Sequence, residues 1–306
     1  MQEGSRKAII AAFFANLGIA VAKLTGFLIT GSAGLLAEAS HSLADTGNQA
    51  LLMFGGKRSR RAPTETHQFG FGNERYFWAF VVALVLFSGG GLFALYEGVQ
   101  KLLHPHAAES IGVAVGILLA AVALETFSLL TAVREVRHVK PAEMSYWRFV
   151  RTAKQPELPI VLLEDVGAEI GLVFALFGVV MTSLTDNARW DALGSVAIGL
   201  LLMVIAVILA VRMKALLIGE AASSIDQEAV IEALTSSPRV IRMIHIRTLH
   251  LGPEELMVAA KVEFEREISM ADLAVAVDDA ERAIRARVPT VGLIYIEPDL
   301  YRDLPQ

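Results

Sequence analysis

Six stretches of the chain are apolar at nearly every position, at about residues 8–29, 33–55, 77–100, 111–133, 158–183 and 190–211. Each is long enough for the roughly 30 Å hydrocarbon core of a bilayer, which takes about 20 helical residues. The first lacks a small-residue cleavage site and reads as a retained span rather than a signal peptide. After Lys214 the pattern shortens. Ser224 with Gln227 has the form of a capping box and opens a helix with Val230, Ile231 and Leu234 inward. Val258, Ala260, Val262 and Phe264 alternate with Ala259, Lys261, Glu263 and Glu265, the period of a half-buried strand. A partner strand is expected at about 241–249 and a last strand at about 291–297. Between them Ser269 with Asp272 opens a helix whose Leu273, Val277, Ala280 and Ile284 share one face. The expected architecture is an all-α six-helix transmembrane domain over residues 1–214, followed by a small α+β (αββαβ) cytoplasmic domain over 215–306.

Composition agrees with a membrane chain. Of 306 residues, 54% are hydrophobic and 19% charged, against about 25% charged in a soluble domain. That excludes disorder, a nucleic-acid-binding arm and most soluble enzymes. The net charge of -5 is uneven: residues 1–214 hold 18 basic and 16 acidic groups, residues 215–306 hold 9 and 16. There is no cysteine, so disulfides and thiolate metal sites are excluded. Fifteen Lys and Arg residues of the first region fall at one side of the spans and only Lys101 and Arg189 at the other. By the positive-inside bias both termini face the cytoplasm.

Ionisable residues within spans are costly and mark function. The second span carries Glu38, His41, Asp45 and Asn48 at offsets 0, 3, 7 and 10, one helical face. The fifth carries Glu164, Asp165 and Glu169. Asp165 and Glu169 share a face, with Glu164 about 100° round. One imidazole and two or three carboxylates suit a divalent ion such as zinc, with manganese, iron or cobalt as alternatives. Glu125 in the fourth span is either a proton carrier or an interhelical hydrogen-bond partner, and Lys23 either snorkels or pairs with a carboxylate. Gly89, Gly90 and Gly91 point to close helix contact or a kink. Asp191 opens the sixth span, where the helix dipole accounts for it.

Three segments resemble the cation diffusion facilitators. They are Gly31-Ser32-Ala33 through His41-Ser42-Leu43-Ala44-Asp45, the loop His67-Gln68-Phe69-Gly70-Phe71-Gly72, and Asp191-Ala192-Leu193-Gly194-Ser195. The resemblance covers nearly the whole chain. It implies a proton-coupled exporter of divalent metal, a homodimer, and no enzymatic activity. The chain departs from the family pattern at Val161, where a His or Asp is usual four residues before Asp165. Either Glu164 or Glu169 then supplies the missing donor. Leu162-Leu163-Glu164-Asp165 looks similar to a branch that includes an animal mitochondrial zinc transporter, which favours Glu164, whereas helical spacing favours Glu169. In the αββαβ domain His245 and His250 fall on opposite strand faces, so no metal is expected there.

The resulting expectation is a divalent metal/proton antiporter of the cell membrane that moves zinc out of the cytoplasm. It would bind the ion through His41, Asp45, Asp165 and Glu164 or Glu169, with metal and proton as substrates and no separate cofactor or nucleic-acid partner. The competing reading is a non-transporting receptor or scaffold that retains the fold. An intramembrane hydrolase lacks the required catalytic surroundings.

Overall fold

A computed structural model describes residues 3–105 and 111–302, with the side chains of residues 3–12 and 15 left out. His106 and the side chains of Arg6 and Lys7 lie outside the described residues. The chain forms two compact units, residues 1–57 with 77–214 and residues 58–76 with 215–306.

The first unit is helical. Its long elements are α1 (Glu3–Thr30), α2 (Ala33–Arg58), a continuous helix Glu74–Leu103, α5 (Ile111–Val139), α7 (Glu157–Thr185) and α8 (Arg189–Ile218). They number 26 to 30 residues each, and at about 1.5 Å per residue all exceed the hydrocarbon thickness. Short α6 (Tyr146–Thr152) precedes α7. Glu74–Leu103, Ile111–Val139 and Arg189–Ile218 qualify as membrane spans by length and composition alone among the described residues. The helix Glu74–Leu103 comprises α3 (Glu74–Val85), a π-helical stretch Leu86–Leu92 and α4 (Phe93–Leu103). Of the three glycines in that stretch, Gly91 has a steric reason, whereas a Cβ on Gly89 would meet open space. A Cβ on Gly91 would sit 3.2 Å from the Gly199 carbonyl oxygen, and one on Gly199 2.9 Å from that of Gly91. Only small residues let these two helices touch through their backbones.

The start of α2 is fixed from outside the helix. Gly31, at φ +64, ends α1 in the left-handed conformation that glycine adopts without penalty. Asp191 of α8 then accepts from Ser32 Oγ (2.9 Å) and from the α2 backbone N–H groups of Ala33 (2.9 Å) and Gly34 (3.3 Å). Lys101 Nζ completes the cluster at 2.8 Å from Asp191 and 2.8 Å from the Gly31 carbonyl. The expectation that Asp191 serves only its own helix dipole is therefore corrected. A carboxylate 1% exposed needs full partners, and it takes them from α2 and α4.

The second unit is a three-stranded sheet with two helices. Strands β1 (Val240–Gly252), β2 (Glu255–Phe264) and β3 (Val291–Pro298) lie in the order β1-β2-β3. The β1–β2 pair is antiparallel and the β2–β3 pair parallel. Helix α10 (Met270–Arg287) makes the crossover that a parallel pair requires. Val230, Leu234, Leu256, Val258, Val262, Phe264, Ala280 and Ile284 share one core. Ala233 is buried in α9 (Ser224–Thr235) while Ile231 is only half-buried, a correction to the expected inward face. The cap of α9 is also one residue earlier than expected. Ser223, extended at φ -60 and ψ 156, accepts from the Asp226 N–H. Ser269 caps α10 as the spacing predicts, and its hydroxyl donates to Asp272 at 2.8 Å. That bond, with Arg239 second, holds the Asp272 carboxyl below its ordinary range.

The α2 cap carries a stability prediction. Asp191→Ala strands a buried Lys101 ammonium and uncaps α2, at a cost of about 3–5 kcal/mol. Thermal unfolding of the detergent-purified protein should show a clear fall in Tm, and adding Lys101→Met should restore part of it. An unchanged Tm in the single variant contradicts the assignment.

Candidate metal centre

Helix α2 presents Glu38, His41, Asp45 and Asn48 to the interior, and all four are buried. The common face follows from their spacing. His41 Nδ1 lies 3.5 Å from Asp45 Oδ1. Neither His41 ring nitrogen makes a hydrogen bond, and Asp45 Oδ1 is likewise without one. Buried polar atoms are rarely left so.

Across from this face, α7 brings Glu164 and Asp165, both buried. Two different helices hold them. Asn48 Nδ2 of α2 donates to Glu164 Oε1 at 2.6 Å. Ser128 of α5 donates to Asp165 Oδ2 at 3.0 Å. Asp45 is within electrostatic reach of both Glu164 and Asp165. Glu169 is placed differently. Its Oε1 accepts from Thr126 of α5 at 3.0 Å, while its buried Oε2 is unfilled. Among the described residues no three His, Asp or Glu side chains converge as a finished metal cluster. The donors stand instead as a His41–Asp45 pair on α2 and the Glu164–Asp165 pair on α7.

Glu38 belongs to a second polar centre, one the periodicity of α2 does not separate from the first. Lys23 of α1 is fully buried. Its Nζ donates to Glu38 Oε2 at 3.1 Å, Ser42 Oγ at 2.8 Å and Glu125 Oε1 at 3.3 Å, using all three ammonium protons. Of the two readings open for Lys23, pairing with a carboxylate is the one observed. Glu125 serves as an interhelical partner. A Cβ at Gly171 of α7 would meet Glu38 Oε1, so α7 lies directly against this centre at that glycine. Lys23 and Glu125 were visible in the sequence as isolated charges in apolar helices; their partnership was not, because 102 residues separate them.

Among the described residues the other histidines form no comparable site. His67 is exposed, with its ring 4.7 Å from that of Phe71 and Nδ1 3.1 Å from Thr66 Oγ1. In β1, His245 is exposed and His250 buried, as their opposite strand parity predicts.

Similarity to known proteins identifies the family. A family model described as the cation efflux transmembrane domain matches residues 9–218. The proton-coupled zinc antiporter SLC30A9, mitochondrial, of Xenopus laevis is 34% identical over 264 residues, 86% of this chain and 47% of that protein. The chain thus spans about half the length of such relatives. The cation-efflux pump FieF of Escherichia fergusonii is 25% identical over 290 residues, 95% of this chain and 91% of that protein. A solved nickel form of a MamM CTD variant is matched over 26% of this chain and all of its own, at 14% identity and a TM-score of 0.25. By the span and placement of the family match, the chain is an integral membrane protein that belongs to the cation efflux family.

Proposed function

We propose that the protein exports divalent metal cations, zinc first, from the cytoplasm in exchange for protons. The observation that carries this is the buried His41–Asp45 pair on α2, with unfilled donor atoms, set against Glu164 and Asp165 of α7. One imidazole nitrogen and three carboxylate groups match the tetrahedral N/O preference of zinc. The relatives named as a zinc antiporter and a cation-efflux pump support the same reading. Glu164 is the better fourth donor on this geometry, because Asn48 of α2 holds it and its charge acts on Asp45, whereas the charge of Glu169 acts on Glu38 of the Lys23 centre. It stands in for the donor that Val161 does not supply.

The exchange follows from ligand chemistry. A metal ion binds only deprotonated carboxylates and neutral imidazole, so loading releases protons and protonation releases metal. Both substrates compete for one set of atoms. Rocking of the helices would open that set to each side in turn, and inward proton flow would drive the metal out. The scaffold alternative leaves the His41 nitrogens and Asp45 Oδ1 buried without a use, which selection for stability alone would remove.

Zinc uptake into proteoliposomes under an imposed pH gradient tests the reading. Wild-type protein should accumulate zinc against its gradient while protons move the other way. Asp45→Ala and Asp165→Ala should each cut the rate by at least about 100-fold, as expected when one partner of a buried charge cluster is lost. Wild-type rates in both variants would refute the site. The proposed orientation, with termini in the cytoplasm of a cell membrane, has its own test because the chain has no cysteine. An impermeant thiol reagent should label His104→Cys in intact cells, and Glu143→Cys only after permeabilisation. The reverse pattern would invert the topology.

A further inference from the structure

The two carboxylates of α7 are consecutive in sequence and so diverge by about 100° around the helix. Helical geometry alone cannot aim both at one ion. Asp165 is held by Ser128 of α5. Glu164 needs a separate hold, and among the described residues Asn48 of α2 supplies it, donating an amide N–H to Oε1 at 2.6 Å. A donor aimed into a carboxylate at this range makes a strong, directional contact.

Asn48 itself is fully buried. Its offset of 7 from His41 puts the two almost in line along α2, about 10 Å apart on the axis, with Asp45 between them. Its Oδ1 has no hydrogen-bond partner. A buried carboxamide with one end unsatisfied destabilises the fold by about 1–3 kcal/mol, so general packing does not account for it. The satisfied end does. Replacing it with an apolar residue would leave Glu164 without its hold and free to take another rotamer.

We propose that Asn48 is a positioning residue for metal transport: its carboxamide turns Glu164 of α7 onto the His41–Asp45 face of α2, which lets this chain complete its site without a donor at position 161. The inference rests on the transport reading above. The carboxamide acts through Glu164, whose carboxylate remains the donor to the ion.

The test is a double-mutant cycle. Asn48→Leu is similar in volume but has no donor, Glu164→Gln removes the carboxylate that Asn48 positions, and the third protein carries both changes. Zinc uptake in proteoliposomes and zinc affinity of the purified full chain, by titration calorimetry, are read for these three and the wild type. Each single variant should raise the KM and the Kd for zinc at least about tenfold, and the double variant should stay within about threefold of Glu164→Gln, because Asn48 acts through Glu164 and has nothing left to position once that carboxylate is gone. Asn48→Asp, which sets two carboxylates against each other, provides a second single variant should Asn48→Leu not yield monodisperse protein, and should show the same rise. An Asn48 variant with wild-type KM and Kd overturns the proposal, as does a double variant in which the two losses multiply. A wild-type protein that moves no zinc overturns the transport reading instead, so the two failures are told apart.

Discussion

The Lys23 ammonium lies in α1 with no contact to solvent, and an ammonium in that position is tolerated only when its protons are all taken. Glu38 and Ser42 of α2 and Glu125 of α5 take them. One point charge thereby fixes the relation of three helices that share few other polar contacts. The rest of the membrane unit follows the same rule. Lys101 meets Asp191 at the start of α2, Ser128 meets Asp165, and Thr126 meets Glu169. Each buried charge is answered from another helix, so the polar groups set both the depth and the rotation of α2 and α7.

Against that rule His41 is the exception. Both of its ring nitrogens and Asp45 Oδ1 are buried without a hydrogen bond, whereas the neighbouring Lys23 cluster, which includes the adjacent Ser42, uses every ammonium proton. Two polar centres thus lie along one face of α2 and differ in kind. The first, around Lys23, supplies its own cation, which takes Glu38 Oε2 and leaves Glu38 Oε1 without a hydrogen bond. The second, around His41, gathers imidazole and carboxylate donors from α2 and α7, and a divalent ion is the species that would satisfy them together. A protein that must release its ion benefits from a site whose parts belong to separate helices, since a small relative shift takes the donors apart.

Much of this was legible in the sequence, and what was not has a common cause. Helical spacing alone placed Glu38, His41, Asp45 and Asn48 on one face of α2, and strand alternation marked the buried face of β2. Local signals stopped where two options satisfied them equally. Ser223 with Asp226 and Ser224 with Gln227 both fit a capping pattern, and only the backbone at Ser223 distinguishes them. Spacing paired Glu169 with Asp165, yet Thr126 draws Glu169 toward α5 and Asn48 draws Glu164 toward α2. Asp191 looked complete as a dipole partner of α8 because Lys101 and Ser32, 90 and 159 residues away, are invisible to any local pattern. Long-range pairing of polar groups is what the periodicity of apolar residues does not encode.

The central claim is that a divalent ion binds between α2 and α7 through one imidazole and carboxylate oxygens. X-ray absorption at the zinc edge of the loaded, purified protein examines that shell directly. The account predicts four N/O neighbours at about 2.0–2.1 Å, with the outer-shell scattering of a single imidazole that disappears in His41→Ala. A six-oxygen shell without imidazole scattering, or a spectrum unchanged in His41→Ala, would contradict it.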